Sequence, residues 1–290
     1  MKIVAVALTL ALAVTAVPLT APVASAAAIA DQDARNRINL AGRQRMLTQR
    51  MSKAACMIHM GIDVERHKVV LSDAAILFSE THSALQKGGG AHVLSPETDG
   101  DILAKLAEVD ALWADLKIAV EEFQSTQSET SLQSIARLNV PTLVKMHEAV
   151  GLIQASYSDG VIDPLLAKTI NVAGRQRMLT QRASKEACFI AAGVSAVESH
   201  NSLKNTVSLF DSSLVDLMEG NPDEGIVPPV IDDLAWQLET VQDTWSELKP
   251  IFGSAMQSGA VSMDDLETIA AINDTLLSQA NDAVWFYNNY

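Results

Sequence analysis

Aromatic side chains are scarce in this sequence, at 4 % of residues, while alanine, leucine and other good helix formers dominate. That composition disfavours a β-sandwich and suits helix packing. Positive charge is also in short supply: 21 Lys and Arg stand against 35 Asp and Glu, a formal net charge of −14. So acidic a chain repels phosphate backbones and anionic lipid, and nucleic acid is not an expected partner. The six histidines, His59, His67, His82, His92, His147 and His200, show no paired metal spacing. There is no Glu-x-x-His pair of the di-iron type and no Cys-x-x-Cys-His haem motif. They read as surface residues, and neither metal nor cofactor is expected. A nucleophile elbow and a glycine-rich phosphate loop are missing too. Catalysis therefore has no candidate residues, and the chain is not expected to be an enzyme.

Long hydrophobic runs are limited to the first 30 residues. Lys2 is the only charge before Asp31, Ile3 to Leu19 is apolar, and Pro18 and Pro22 follow. Ala24-Ser25-Ala26 then supplies the small-x-small pattern that signal peptidase accepts. The uncharged stretch is long enough to span a bilayer as a retained anchor, but the prolines and the small-residue site favour a signal peptide over 1–26, cleaved near Ala26. A secreted, periplasmic protein is expected.

The rest of the sequence is a duplication. Shifted by 132 residues, Ile38-Asn39-Leu40-Ala41-Gly42-Arg43-Gln44-Arg45-Met46-Leu47-Thr48-Gln49-Arg50 falls on Ile170-Asn171-Val172-Ala173-Gly174-Arg175-Gln176-Arg177-Met178-Leu179-Thr180-Gln181-Arg182. Sixteen of nineteen positions from 38 to 56 are identical, ending at Cys56 and Cys188. Further on, Gly61/Gly193, Leu71/Leu203, Phe78/Phe210, Leu85/Leu217, Trp113/Trp245 and Leu116/Leu248 match and read as shared core. Each copy reads as four helices, in the first roughly 33–60, 64–87, 97–125 and 130–157. Ser95-Pro96 has the form of an N-cap with a first-turn proline, and Ser262-Met263-Asp264-Asp265 that of a capping box. Gly88 to Gly90 and Gly220 to Pro229 form the loops between second and third helices.

These features predict an all-α protein of two tandem up-down-up-down four-helix bundles, over 27–160 and 161–290. Only five residues separate Tyr157 from Asp163-Pro164, which opens the second copy. So short a link sets the bundles side by side about a pseudo-twofold axis, with their first helices adjacent.

The repeated box concentrates positive charge. Arg35, Arg37, Arg43, Arg45, Arg50, Lys53, Lys168, Arg175, Arg177, Arg182 and Lys185 make up eleven of the 21 basic residues, and no acidic residue lies between Arg35 and Lys53. At about 100° per residue, Arg45 shares a face with Ala41, Gln49, Ser52 and Cys56, bordered by Gly42. Arg177 does the same with Ala173, Gln181, Ser184, Cys188 and Gly174. Small residues let two such faces approach, each offering a guanidinium and an amide. Arg43 points away, and Arg50 and Lys53 lie off the stripe. The candidate ligand-binding residues are thus Arg45, Arg177, Gln49, Gln181, Gly42 and Gly174. Facing guanidiniums repel unless an anion separates them, and a planar oxyanion such as nitrate or nitrite matches their fork. The competing arrangement has each arginine solvated or paired with a carboxylate of its own bundle. Cys56 and Cys188 lie on the same faces, which leaves open both a disulfide and two buried thiols.

The Ile-Asn-x-Ala-Gly-Arg-Gln-Arg-Met-Leu-Thr-Gln-Arg string resembles the signature of the PilJ-type domain, the N-terminal sensor region of type IV pili methyl-accepting chemotaxis transducers. It is also similar to the box of NarX/NarQ-type nitrate and nitrite sensor kinases. The resemblance implies helical periplasmic bundles and an anion held at a twofold axis by one arginine from each half, here Arg45 and Arg177. Those sensors carry transmembrane helices and a cytoplasmic output module, and this sequence shows neither. A small-anion receptor reporting to a membrane sensor or transducer is therefore expected. A non-ligand-binding interaction or scaffold protein of a type IV pilus or chemotaxis system is the other reading.

Overall fold

A computed structural model describes residues 26–91 and 93–289. It contains eight helices and no strand among the described residues: α1 (Ala26–His59), α2 (Val64–Lys87), α3 (Gly100–Thr126), α4 (Glu129–Ser158), α5 (Pro164–Ala192), α6 (Ala196–Glu219), α7 (Asp232–Ser258) and α8 (Met263–Asn289). Residues 1–25 of the expected leader, and His92, lie outside the described residues, whereas Ala26 is the first residue of α1. No described helix is long and apolar enough to cross a membrane.

Each copy folds as a bundle of four helices. In the first, α1 packs on α2 and α4, and α3 on α4; in the second, α5 packs on α6 and α8, and α7 on α8. The second and third helices meet through equivalent aromatic pairs, Phe78 on Trp113 with ring centroids 4.2 Å apart and Phe210 on Trp245 at 3.9 Å. The most extensive packing of all is between the bundles, along α1 and α5. Equivalent positions meet at both ends of the repeated box, so the two helices run parallel and in register. Ala41, Ala54, Ala55, Ala173, Ala183 and Ala187 are all buried, which lets the backbones approach closely.

Local signals explain most boundaries. Asp163 caps α5, accepting from the N–H groups of Leu165 and Leu166, with Pro164 in the first turn where its missing N–H costs nothing. Ser262 and Asp265 form a reciprocal capping box at the start of α8, Ser262 N donating to Asp265 Oδ2 and Asp265 N to Ser262 Oγ. Gly61 and Gly193 take the left-handed conformation, at φ 76° and 70°, that ends the first helix of each copy.

Three sequence expectations need correction. The helix α1 is already formed at Ala26, the first described residue and well before residue 33, and Asp31 forms an i,i+4 ion pair with Arg35 within it. The third helix opens at Gly100 under an Asp99 cap rather than at Ser95-Pro96. A tertiary contact outcompetes the local signal there: buried Arg37 binds the Ser95 carbonyl and the Glu97 carboxylate, holding that stretch against α1. Finally, His67 and His82 are buried, not surface residues. His67 Nδ1 lies 3.0 Å from the Ile62 carbonyl, and His82 Nε2 2.9 Å from Asp110 Oδ1.

Cys56 and Cys188 are joined by a disulfide between α1 and α5, both fully buried, with Cα atoms 6.1 Å apart. The bond closes a loop across a sequence separation of 132 residues, so it removes considerable freedom from the unfolded chain. Replacing both cysteines by alanine should lower unfolding free energy by about 4 kcal/mol, measured by urea titration. Two free thiols by intact mass under non-reducing conditions would contradict the bond.

Candidate functional site

A box of polar residues is buried here because α1 and α5 are covered over most of their surface. Each packs within its own bundle on one flank and against its counterpart on the other. Arg37, Gln44, Arg45, Thr48, Gln49, Ser52 and Lys53 on α1 are all below 2 % exposed, and Gln176, Arg177, Thr180, Gln181, Ser184 and Lys185 on α5 are buried as well. Some of these side chains hold the bundles together. Gln44 Nε2 donates to the Phe78 carbonyl of α2, and Gln176 Nε2 to the Phe210 carbonyl of α6. Arg50 pairs with Asp274 of α8 at 2.9 Å, and Arg182 with Glu186 at 2.8 Å.

Arg45 and Arg177 converge. A Cβ placed on Gly42 would lie 3.3 Å from Arg45 Nη2 and 3.6 Å from Arg177 Nη2; on Gly174 it would lie 3.2 Å from Arg177 Nη2 and 3.9 Å from Arg45 Nη2. The two guanidiniums are thus no more than about 7 Å apart over paired glycines whose missing side chains leave them room. Their hydrogen bonds cross between the bundles. Arg45 Nη2 donates to Asn171 Oδ1 at 2.7 Å and to the Asn171 carbonyl, both on α5, while its Nη1 donates to His147 Nδ1 of α4 at 3.0 Å. Arg177 Nη2 donates to the Asn39 carbonyl of α1 at 3.1 Å, and its Nη1 to Asn281 Oδ1 of α8 at 3.4 Å.

Among the described residues no carboxylate pairs with either arginine, and the partners are neutral. Burial pushes both guanidiniums well below their ordinary pKa, and positive neighbours add to it: Arg175 beside Arg45, and Arg43 and Arg45 beside Arg177. At an effective dielectric constant near 20, two unit charges about 7 Å apart repel by about 2 kcal/mol, which sets the scale of the repulsion here. The Nε–H groups of Arg43, Arg45, Arg175 and Arg177 are buried with no partner among the described residues. Each unmet donor costs about 1–3 kcal/mol. A groove of about 440 Å³ between α1, α2 and α8 leads from solvent to Arg177, passing Arg43, Arg50 and Asn281. The arrangement is a buried pair of cations with unmet donors, and the groove opens one of the two, Arg177, to solvent.

Gln49 and Gln181 are buried on the same faces but do not touch the arginines. They belong to a second polar layer one turn towards the disulfide. Lys185 Nζ crosses to Gln49 Oε1 at 3.0 Å and Asn139 Oδ1 at 3.1 Å, and Lys53 Nζ crosses to Asn273 Oδ1 at 2.6 Å and Asp274 Oδ1 at 3.4 Å. Gln181 Nε2 donates to Asn273 Oδ1 at 2.7 Å. Helical phase set Lys53 off the stripe, yet it is fully buried. Asn139, Asn273, His147 and Asn281 went unmarked because the connection from α7 to α8 is two residues longer than that from α3 to α4, which breaks the 132-residue register. Among the described residues, no group of His, Cys, Asp and Glu could hold a metal ion.

The sequence profile of the PilJ family, described as type IV pili methyl-accepting chemotaxis transducer N-term, matches residues 26–138 and 166–269. The chain is also similar to the methyl-accepting chemotaxis protein McpN of Pseudomonas aeruginosa, 28 % identical over 117 residues. That match covers 40 % of this chain and 21 % of the relative, so the chain spans about a fifth of that protein's length.

The lysine layer makes stability depend on pH. Burial lowers the Lys185 pKa from 10.5 to about 8, chiefly by desolvation and slightly through Arg182, against the opposing pull of Glu186. The folded state therefore binds fewer protons than the unfolded state between about pH 8 and 10.5. The penalty of the buried ammonium is full below pH 8 and fades as pH rises to 10.5. Relative to Lys185→Met, the wild type should gain up to about 3 kcal/mol over that window, measured by urea unfolding at several pH values. A constant difference would mean that the amine is hydrated.

Proposed function

This chain belongs to the PilJ family, and we propose that it is a periplasmic receptor for a small planar oxyanion, nitrate or nitrite, that reports occupancy to a membrane sensor or transducer. One observation carries the reading: two buried guanidiniums face each other across α1 and α5 without a carboxylate, each with an unpartnered Nε–H. The competing arrangement, in which each arginine is solvated or ion-paired within its own bundle, does not match that geometry. A planar anion between the forks would accept in-plane hydrogen bonds from both and screen their repulsion. The likeness of the repeated box to nitrate and nitrite sensors supports the same ligand class. An internal disulfide suits an oxidising compartment, in keeping with a cleaved leader. The reading includes no catalytic step.

Binding would favour the arrangement in which α1 and α5 sit closest at the arginine layer, and a shift of one bundle against the other would be what a partner surface reads. Isothermal titration of the secreted protein with sodium nitrate and sodium nitrite should give one site per chain. Arg45→Ala and Arg177→Ala should each weaken it by at least tenfold, about 1.4 kcal/mol, with thermal unfolding as the check on folding. Absence of heat with both anions, or unchanged affinity in both variants, would overturn the receptor reading.

A further inference from the structure

The two halves of the cleft are not chemically equal. Asn139 on α4 and Asn273 on α8 play the same part in the lysine layer, and eight residues beyond each stand His147 and Asn281. Each of these reaches Nη1 of the arginine in its own bundle, His147 that of Arg45 and Asn281 that of Arg177. One half therefore carries a titratable ring where the other carries an amide.

The ring's state follows from the geometry. Arg45 Nη1 can only donate, so His147 Nδ1 must accept, and the imidazole is neutral with its hydrogen on Nε2. The residue as a whole is exposed, so a proton reaches it from water without unfolding. The charged groups facing it are Arg45 from α1, Arg175 from α5 and its neighbour Glu148 on α4. Glu148 is engaged by Lys105 of α3 and by Lys145, each at 3.0 Å, which neutralises most of its pull. Partial burial, then Arg45 and Arg175, hold the His147 pKa below its usual value.

We propose that His147 couples anion binding to proton uptake, so that the cleft takes up its anion together with a proton on Nδ1. The inference rests on the receptor reading above. Protonating Nδ1 removes the acceptor of Arg45 Nη1 and adds positive charge beside two arginines, which is unfavourable in an empty cleft. An anion reverses both terms. It accepts the freed Nη1–H and the new Nδ1–H, and it screens the arginines. Proton and anion then stabilise each other, and by linkage each raises the affinity for the other equally. The Asn281 half, which cannot titrate, contributes no second proton.

The test uses the full secreted chain and sodium nitrate, an anion whose charge does not change between pH 5.5 and pH 8.0. Isothermal titration at both pH values, in two buffers of different ionisation enthalpy, reads affinity and proton uptake together. The wild type should bind about tenfold more tightly at pH 5.5, with uptake of up to one proton per nitrate at intermediate pH. His147→Asn, which copies the other half, should bind at both pH values with equal affinity and no proton uptake. Nitrate binding that is the same at both pH values in the wild type would overturn the coupling and leave the receptor reading standing. Persistence of the pH dependence in His147→Asn would also overturn it. No nitrate binding at either pH would overturn both.

Discussion

The architecture turns on one unfavourable interaction: two buried guanidiniums held close together in the seam between the bundles. Everything around Arg45 and Arg177 opposes their separation. Alanines and paired glycines bring α1 and α5 close together, the Cys56–Cys188 bond fastens them three turns away, and hydrogen bonds from each side cross to the opposite bundle. The apolar cores of the two bundles provide the stability that offsets the buried charge. A site of this kind is poised for a ligand of opposite sign, because the protein has already met the cost of assembling its donors.

The lysine layer extends the same logic. Lys53 and Lys185 each reach across the seam to the last helix of the other bundle, but their surroundings differ. Lys53 has Asp274, which also receives Arg50 and Arg66, whereas Val140 occupies the equivalent place near Lys185. Polar groups that bond across a seam specify register more strictly than alanine contacts do, since a shift by one turn would strand every one of them. The equivalence of the two helices is therefore enforced at three levels, by guanidinium, by ammonium and by sulfur.

Much of this was legible in the sequence. The repeat announced two equivalent units, the short segment before Asp163-Pro164 allowed them to lie side by side, and helical phase set Arg45 and Cys56 on one face with Gly42 at its border. What escaped had a common cause: periodicity describes a helix with one buried side, whereas α1 and α5 are buried over most of their circumference. Lys53 thus seemed peripheral, and Gln49 seemed to belong with the arginines although its partners are Lys185 and Asn139. His147 and Asn281 come from helices far along the chain, at an offset displaced by two residues, so no comparison at 132 could align them. The start of α3 was misread because Arg37, through Ser95 and Glu97, imposes a long-range constraint that outweighs a plausible local cap.

Fusion of both halves into one polypeptide has a consequence of its own. In a twofold assembly of separate subunits every residue appears twice, and the cleft exists only in the fraction that has associated. Here the partner helix is tethered by a few residues and a covalent cross-link, so its effective concentration does not fall on dilution. The cleft is complete in a solitary molecule, however few copies the cell makes, and each side is free to mutate alone.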